Sequence, residues 1–408
     1  MRLIGVEGSG SISYGIAVNN SNNLYAVGAT TGDLDGQTYT GDEESTDVVI
    51  TKYDINGNKQ WTRLLGANGK DASGIGVTSD SSDNVYATGL TYNDLDGQTK
   101  TGLLDMFIAK YDGNGNQTWL KLVGNTLTFT GGTDVTVNSN DEIYVTGDTT
   151  GNLNGQTTVS GLTNTDLFLI KYDSSGNTLW TQLLGVSGVN TNARGIALDS
   201  SGNVYIAGYT QGNLNNETLT GTQDMAIAKY DGSGNLKGVK LLGIAGCTTA
   251  ANAIKVDSNG NIYITGWTTG SLDGQTLTGE NDLFLVKYDG SGNKQWTRLL
   301  GASGSKTQAS DLTLDSGSNI YVTGWTLGDL DGQTSIGTRD AFVVKYDTNG
   351  NKQWTKLLGN EGIDTIGAGI TTDSSNNIYG TGWTYGDLEK ETKTGTIDIF
   401  ITKYKFTP

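Results

Sequence analysis

A chain of 408 residues would ordinarily divide into two or three domains. Its formal net charge of −17 disfavours nucleic acid and anionic membranes, because phosphate binding needs a basic surface, and stays compatible with cations and neutral ligands. The absence of histidine excludes His-activated nucleophiles and His-metal sites, and the lone Cys247 can form no intrachain disulfide.

Met1-Arg-Leu-Ile-Gly5 lacks the apolar h-region of a signal peptide and matches Arg298-Leu-Leu-Gly301, so it reads as part of the fold. No segment is long and apolar enough to cross a membrane as a helix. From there the chain repeats. Lys-Tyr pairs end at Tyr53, Tyr111, Tyr172, Tyr230, Tyr288, Tyr346 and Tyr404, spaced 58, 61, 58, 58, 58 and 58 residues apart. This period overrides the length argument and makes residues 1–408 a single array of seven repeats. The 61 glycines sit at turns within the period, and β-branched and aromatic residues fill the segments between, which argues for strands.

The period after Gly301 shows the unit. Gly301 to Ser310 reads as a small, polar connector and Asp311 to Asp315 as a short strand A. Asp315-Ser-Gly-Ser-Asn319 is turn chemistry, and Asn319 to Thr326 reads as strand B. Leu327 to Arg339 is a long loop holding Gly-Asp-Leu-Asp-Gly-Gln-Thr. Asp340 to Asp347 is strand C, apolar on both faces as a strand covered on both sides must be. Lys352 to Leu358 is strand D, whose Lys and Gln suit an outer edge that must not pair with another chain. Four antiparallel strands per period, seven times, predict an all-β, seven-bladed β-propeller. Blade 4 departs from its siblings: Gly238 stands where strand D of blades 1, 2, 3, 5 and 6 has Trp61, Trp119, Trp180, Trp296 and Trp354. The last repeat stops after a strand C, at Tyr404-Lys-Phe-Thr-Pro408, and the N-terminus supplies a strand D with nothing before it. Arg2 to Gly5 should therefore complete the last blade and close the ring.

The motifs D-x-F-x-x-K-Y-D, G-N-x-x-W-T-x-L-L-G, D-S-S-G-N-x-Y-x-x-G and G-D-L-D-G-Q-T resemble the bacterial seven-bladed β-propeller repeat family SBBP, over the whole chain. The resemblance implies the same propeller fold and, from the family's frequent occurrence in secreted or surface proteins, an extracellular or cell-surface location.

The connectivity puts A–B and C–D turns on one face and the longer B–C and D–A loops on the other, where binding is expected. Three sets of residues stand out there. Asp33 and Asp35, Asp94 and Asp96, Asp273, and Asp329 and Asp331 are candidate Ca²⁺ ligands, since D-x-D-G resembles part of a calcium loop; the plainer alternative is an Asx turn that needs no metal. The first residue of every strand C is aspartate (Asp47, Asp105, Asp166, Asp224, Asp282, Asp340 and Asp398), and sevenfold use points to a structural acceptor for the N–H groups of its own loop. Tyr209, Trp267, Trp325 and Trp383 end strand B in blades 4 to 7 and suit sugar stacking or, alternatively, inter-blade packing. A glycosidase-like carboxylate pair remains open, yet every acidic pair seen in the sequence is repeated, whereas a catalytic site should break the symmetry. The expectation is a non-enzymatic binding or scaffold module for a protein or carbohydrate ligand, without nucleic acid or membrane insertion. The alternative is a lectin on the long-loop face, and the weakest a carbohydrate-active enzyme.

Overall fold

Asp-x-x-Gly-Asn turns fold each apolar run back on its neighbour. In the turn after strand C of blade 5 (Asp282–Tyr288), Asp289 accepts the backbone N–H groups of Ser291 and Asn293 at 2.9 Å each, and Gly292 takes a φ of 82° that glycine adopts without strain. A computed structural model describes residues 1–42, 45–66 and 69–404. These form seven four-stranded antiparallel sheets, each ordered A-B-C-D. Blade 6 is typical: strand A is Thr307–Leu314, strand B Ile320–Thr326, strand C Asp340–Tyr346 and strand D Lys352–Leu358. Strand A therefore starts four residues earlier than expected, inside what reads as a connector. Residues 307–310, Thr-Gln-Ala-Ser, are short or polar and show no apolar alternation that would mark them as a strand.

The seventh sheet is built from both ends of the chain. Arg2, Leu3 and Ile4 pair antiparallel with Ile401, Phe400 and Ile399, as the missing strand predicted. Residues 405–408, which the sequence reading placed after that strand, lie outside the described residues.

Blades are joined in two ways. At the long-loop end, the first N–H of each strand A bonds the carbonyl preceding strand C of the blade before it. Thr307 reaches Asn281 at 3.0 Å, Thr365 reaches Arg339 at 2.8 Å, and Ser11 closes the ring on Ile397 at 2.8 Å. Nearer the outer edge, the strand D indole lies between a strand B tyrosine of its own blade and the C–D turn of the next. Trp296 is 6.3 Å from Tyr263, centroid to centroid, and Gly350 of blade 6 sits so close that a Cβ there would come within 3.0 Å of the ring. Strands B and C supply the fully buried tyrosines and phenylalanines between sheets.

Candidate functional site

Each strand A carries one extra residue relative to strand B. The bulged residues are Tyr14, Ile75, Thr133, Arg194, Asn252, Ser310 and Ala368, one per blade. A bulge frees a residue from pairing and re-aims its side chain. Here all seven face a central channel with a cavity of about 650 Å³, walled by strand A of every blade. Structural positions repeat around the ring, but this position carries seven different side chains.

The channel wall is also charged unequally. Asp134 and Asp311 follow the bulge in blades 3 and 6, where the other blades have Gly15, Gly76, Gly195, Ala253 and Gly369. Each carboxylate staples two backbones together. Asp134 accepts the N–H of Val135 at 2.8 Å and of Ile196 in the next blade at 3.0 Å; Asp311 accepts those of Leu312 at 2.7 Å and Ile370 at 2.9 Å. Both open onto the cavity and are half-buried in its wall. Burial pushes Asp134 up to about 6 and Asp311 upward as well, against the opposing pull of Lys255 and of the N–H donors. Lys255 lines the same wall at a place where the other blades have alanine or threonine.

At the long-loop mouth the side chains are larger. Arg194 bonds Asp148 at 3.1 Å and the Tyr209 hydroxyl at 3.2 Å, and burial holds the Asp148 carboxyl above its ordinary range despite that guanidinium. Arg339 lies over the Trp325 ring, 5.0 Å from its centroid, and its Nε finds no acceptor in the protein. Tyr14 meets Trp383 edge to face at 5.8 Å. Trp325, Trp383, Tyr14, Arg194 and Arg339 all line the cavity. Tyr209 and Trp267 are half-buried like Trp325 and Trp383, but do not line it. The aromatic set proposed from sequence is thus split: two residues at the channel mouth, two beside it.

The acidic loops have a different geometry. Asp331 and Gly332 have φ values of 54° and 73°, a type I′ turn closed by hydrogen bonds between Leu330 and Gln333, with Leu330 plugged into the core. The first carboxylate of each pair caps the loop: Asp33 accepts from Tyr39 N–H, Asp94 from Lys100 and Asp329 from Ser335, at 2.7, 2.9 and 2.8 Å. The second reaches strand D. Asp35 meets Lys59 and Thr62, Asp273 meets Lys294 and Thr297, Asp331 meets Lys352 and Thr355, and Asp96 meets Gln117. Among the described residues no group of three or more Asp, Glu, His or Cys could hold a metal ion.

The strand C aspartates act as expected from the sequence. Asp282 is fully buried and accepts the N–H groups of Thr278 and Gly279 at 2.8 Å each; Asp340 does so from Ile336 and Gly337, and Asp398 from Thr394 and Gly395.

The bulged residues, Asp134, Asp311, Lys255 and Arg339 escaped the sequence reading. Superimposing the seven repeats would have found them, as the positions where a repeated strand stops repeating.

Five segments, residues 60–96, 179–215, 237–273, 295–331 and 353–389, match the family described as Beta-propeller repeat, SBBP. Two relatives are similar to this chain. An uncharacterized WD repeat-containing protein of Acanthamoeba polyphaga mimivirus is 28% identical over 436 residues, covering 79% of this chain and 31% of that protein. The regulatory protein FlaEY of Caulobacter vibrioides is 28% identical over 187 residues, covering 41% of this chain and 19% of that protein. The chain thus spans under a third of the length of either. Among solved structures, a streptogramin B lyase aligns with a TM-score of 0.52 at 11% identity over 96% of this chain and 93% of its own. The WD40 β-propeller domain of Doa1 aligns at 0.51 and 9% over 98% of both. One of these is a lyase and the other a WD40 domain, so the likeness carries the propeller fold alone.

Proposed function

We propose that this chain, a member of the SBBP β-propeller repeat family, is a non-enzymatic interaction scaffold that seats a segment of a partner protein at the long-loop mouth of its channel. The observation that carries this reading is the broken symmetry: a ring of like blades points seven unlike side chains into one cavity of about 650 Å³. The mouth is rich in Trp, Tyr and Arg, the residue types that dominate binding energy at protein interfaces. Arg339, stacked over the Trp325 ring in the cavity wall, sets a cation beside an aromatic face there, a pairing suited to a polar or acidic side chain of the bound segment. The WD repeat description of the mimivirus relative supports the same class. The channel carboxylates support a non-enzymatic reading, since Asp134 and Asp311 are each committed to two backbone donors.

Selection from a displayed random-peptide library tests this. Peptides enriched on the wild type should lose at least about tenfold in affinity on Trp325→Ala/Arg339→Ala, with the fold verified by circular dichroism. Bound peptides should protect the mouth in hydrogen exchange. Enrichment that maps to the short-turn face, or turnover in a hydrolase panel, would overturn the proposal. A lectin is the second reading, supported by the half-exposed Trp383 and Tyr14 at the mouth. A glycan array whose hits vanish on Trp383→Ala would favour it over a peptide scaffold.

A further inference from the structure

The missing indole of blade 4 leaves more than a gap in a pattern. In blades 1, 2, 3 and 5 the strand D tryptophan occupies one fixed frame. Trp61 lies 6.1 Å from Tyr25, Trp119 6.1 Å from Tyr86, and Trp180 6.1 Å from Tyr144. The floor is a positive-φ glycine in the C–D turn of the next blade: a Cβ on Gly115, Gly176, Gly234 or Gly350 would lie within 3.1 Å of the ring. In blades 1 and 2 the indole N–H also finds a carbonyl of that same turn: Trp61 Nε1 donates to Gly113 at 3.2 Å and Trp119 Nε1 to Ser174 at 3.4 Å.

Strand D of blade 4, Leu236–Leu242, keeps this frame and lacks the ring. Tyr205 holds the place of Tyr25, and Lys229 lies 5.0 Å from its centroid, as Lys52 does at 5.3 Å from Tyr25. Gly292, with a φ of 82°, provides the floor in the C–D turn of blade 5, and the Gly290 carbonyl stands in for that of Gly113. What remains is a cleft of about 340 Å³ whose apolar walls include Tyr205, Ile227, Val239, Ile262 and Tyr288. A cavity of about 150 Å³ with apolar walls is enough to hold a benzene. A Cβ on Gly238 would meet nothing within 4 Å, so the room begins at the backbone itself. At the rim, Lys240 pairs with Glu217 at 3.0 Å and Lys237 with Asp231 at 2.7 Å.

We propose that the cleft between blades 4 and 5 binds an indole ring from outside, seated as the chain's own tryptophans are seated in the other blades. Its ring would lie against Tyr205 and the Gly292 turn, and its N–H would reach the Gly290 carbonyl. The chemistry is common to free indoles and to a tryptophan side chain presented by a polypeptide. The site is separate from the channel mouth and does not depend on the reading given to it.

Fluorine NMR of 5-fluoroindole, with N-acetyl-tryptophanamide as competitor, reads the proposal directly. The wild type should bind one equivalent saturably. Gly238→Trp, which fills the cleft from a residue whose φ is ordinary for a side chain, should weaken binding by at least about tenfold. Hydrogen exchange at residues 236–242 and 289–293 should slow on binding. If Gly238→Trp does not fold, Gly238→Leu and this exchange footprint give the same reading. Competition by N-acetyl-tryptophanamide marks a peptide-borne ring, and binding of the free indole alone marks a small molecule. No saturable binding by the wild type, or equal binding by the filled variants, overturns the proposal.

Discussion

Asp134 stands at a place where blades 1, 2, 4 and 7 have glycine, and for good steric reason. A Cβ on Gly76 would lie 2.8 Å from the Asp134 Cα, and one on Gly15 2.7 Å from the Ile75 carbonyl oxygen. A carboxylate is tolerated in blade 3 because it bonds the Ile196 N–H across the blade boundary; desolvation in the channel wall outweighs the pull of that bond and raises the group from 3.8 to about 6. Folded protein then holds a proton that the unfolded chain releases between those values. The resulting stabilisation is full below about pH 4 and is lost as pH rises through about 6. Water in the cavity screens the group, so the whole effect amounts to at most about 3 kcal/mol. Asp134→Asn should abolish this trend: in urea titrations from pH 4 to 7, wild-type stability should decline relative to the variant. A pH-independent difference between the two would show the carboxyl to be ionised throughout. No single-sequence pattern pointed to Asp134. It sits in a polar strand, directly after a bulge that is invisible without the partner strand.

The strand C aspartate and the glycine after strand D form one latch between elements. Asp282 holds the loop before it by two N–H bonds, and its Oδ1 would lie 1.7 Å from a Cβ on Gly301. The same contact recurs at Gly124, Gly185, Gly243 and Gly359 and, across the ring closure, between Gly5 and Asp398, so the glycine after strand D makes room for the strand C aspartate of its own blade. Gly301→Ala should cost at least about 3 kcal/mol, with the strain released in an Asp282→Gly background, where the added methyl should cost under about 1 kcal/mol. Guanidinium unfolding of the four proteins of this cycle measures the coupling, and simple additivity would mean the two residues act independently. Strands B, C and D were legible because each has a clear apolar period and a turn signal. Strand A was half hidden, since its first half, Thr307 to Ser310 in blade 6, consists of short or polar residues that read as a connector. The Asp-Leu-Asp-Gly loops were legible as loops, but the partners of their carboxylates were not, because strand D brings them from elsewhere in the chain, here Lys352 and Thr355 at Asp331.

The whole ring depends on a three-residue strand. Ile4 is buried, and Arg2 to Ile4 cover the outer edge of strand C in the last blade, Asp398–Tyr404. Deleting residues 1–5 should lower the melting temperature by several degrees and drive association through the bared edge. Differential scanning calorimetry with size-exclusion chromatography checks both, and an unchanged, monodisperse protein would show that closure rests on the loop-end bonds alone. This closure was readable from the repeat phase at the two termini, because a strand missing at one end and unpaired at the other has one solution. The channel was not, because symmetry tells where blades lie and says nothing about what each presents inside. The bulge on every strand A carries a further consequence. Its residue pairs with no neighbouring strand, so it can be exchanged without disturbing the sheet behind it. The seven bulged positions therefore act as dials on a common rim, some of them linked to neighbours, as Arg194 is to Asp148 and Asn252 to the Ala309 carbonyl. The channel lining could be changed one blade at a time, by mutation or by recombination of whole repeats, while the backbone that holds the dials stays as it is.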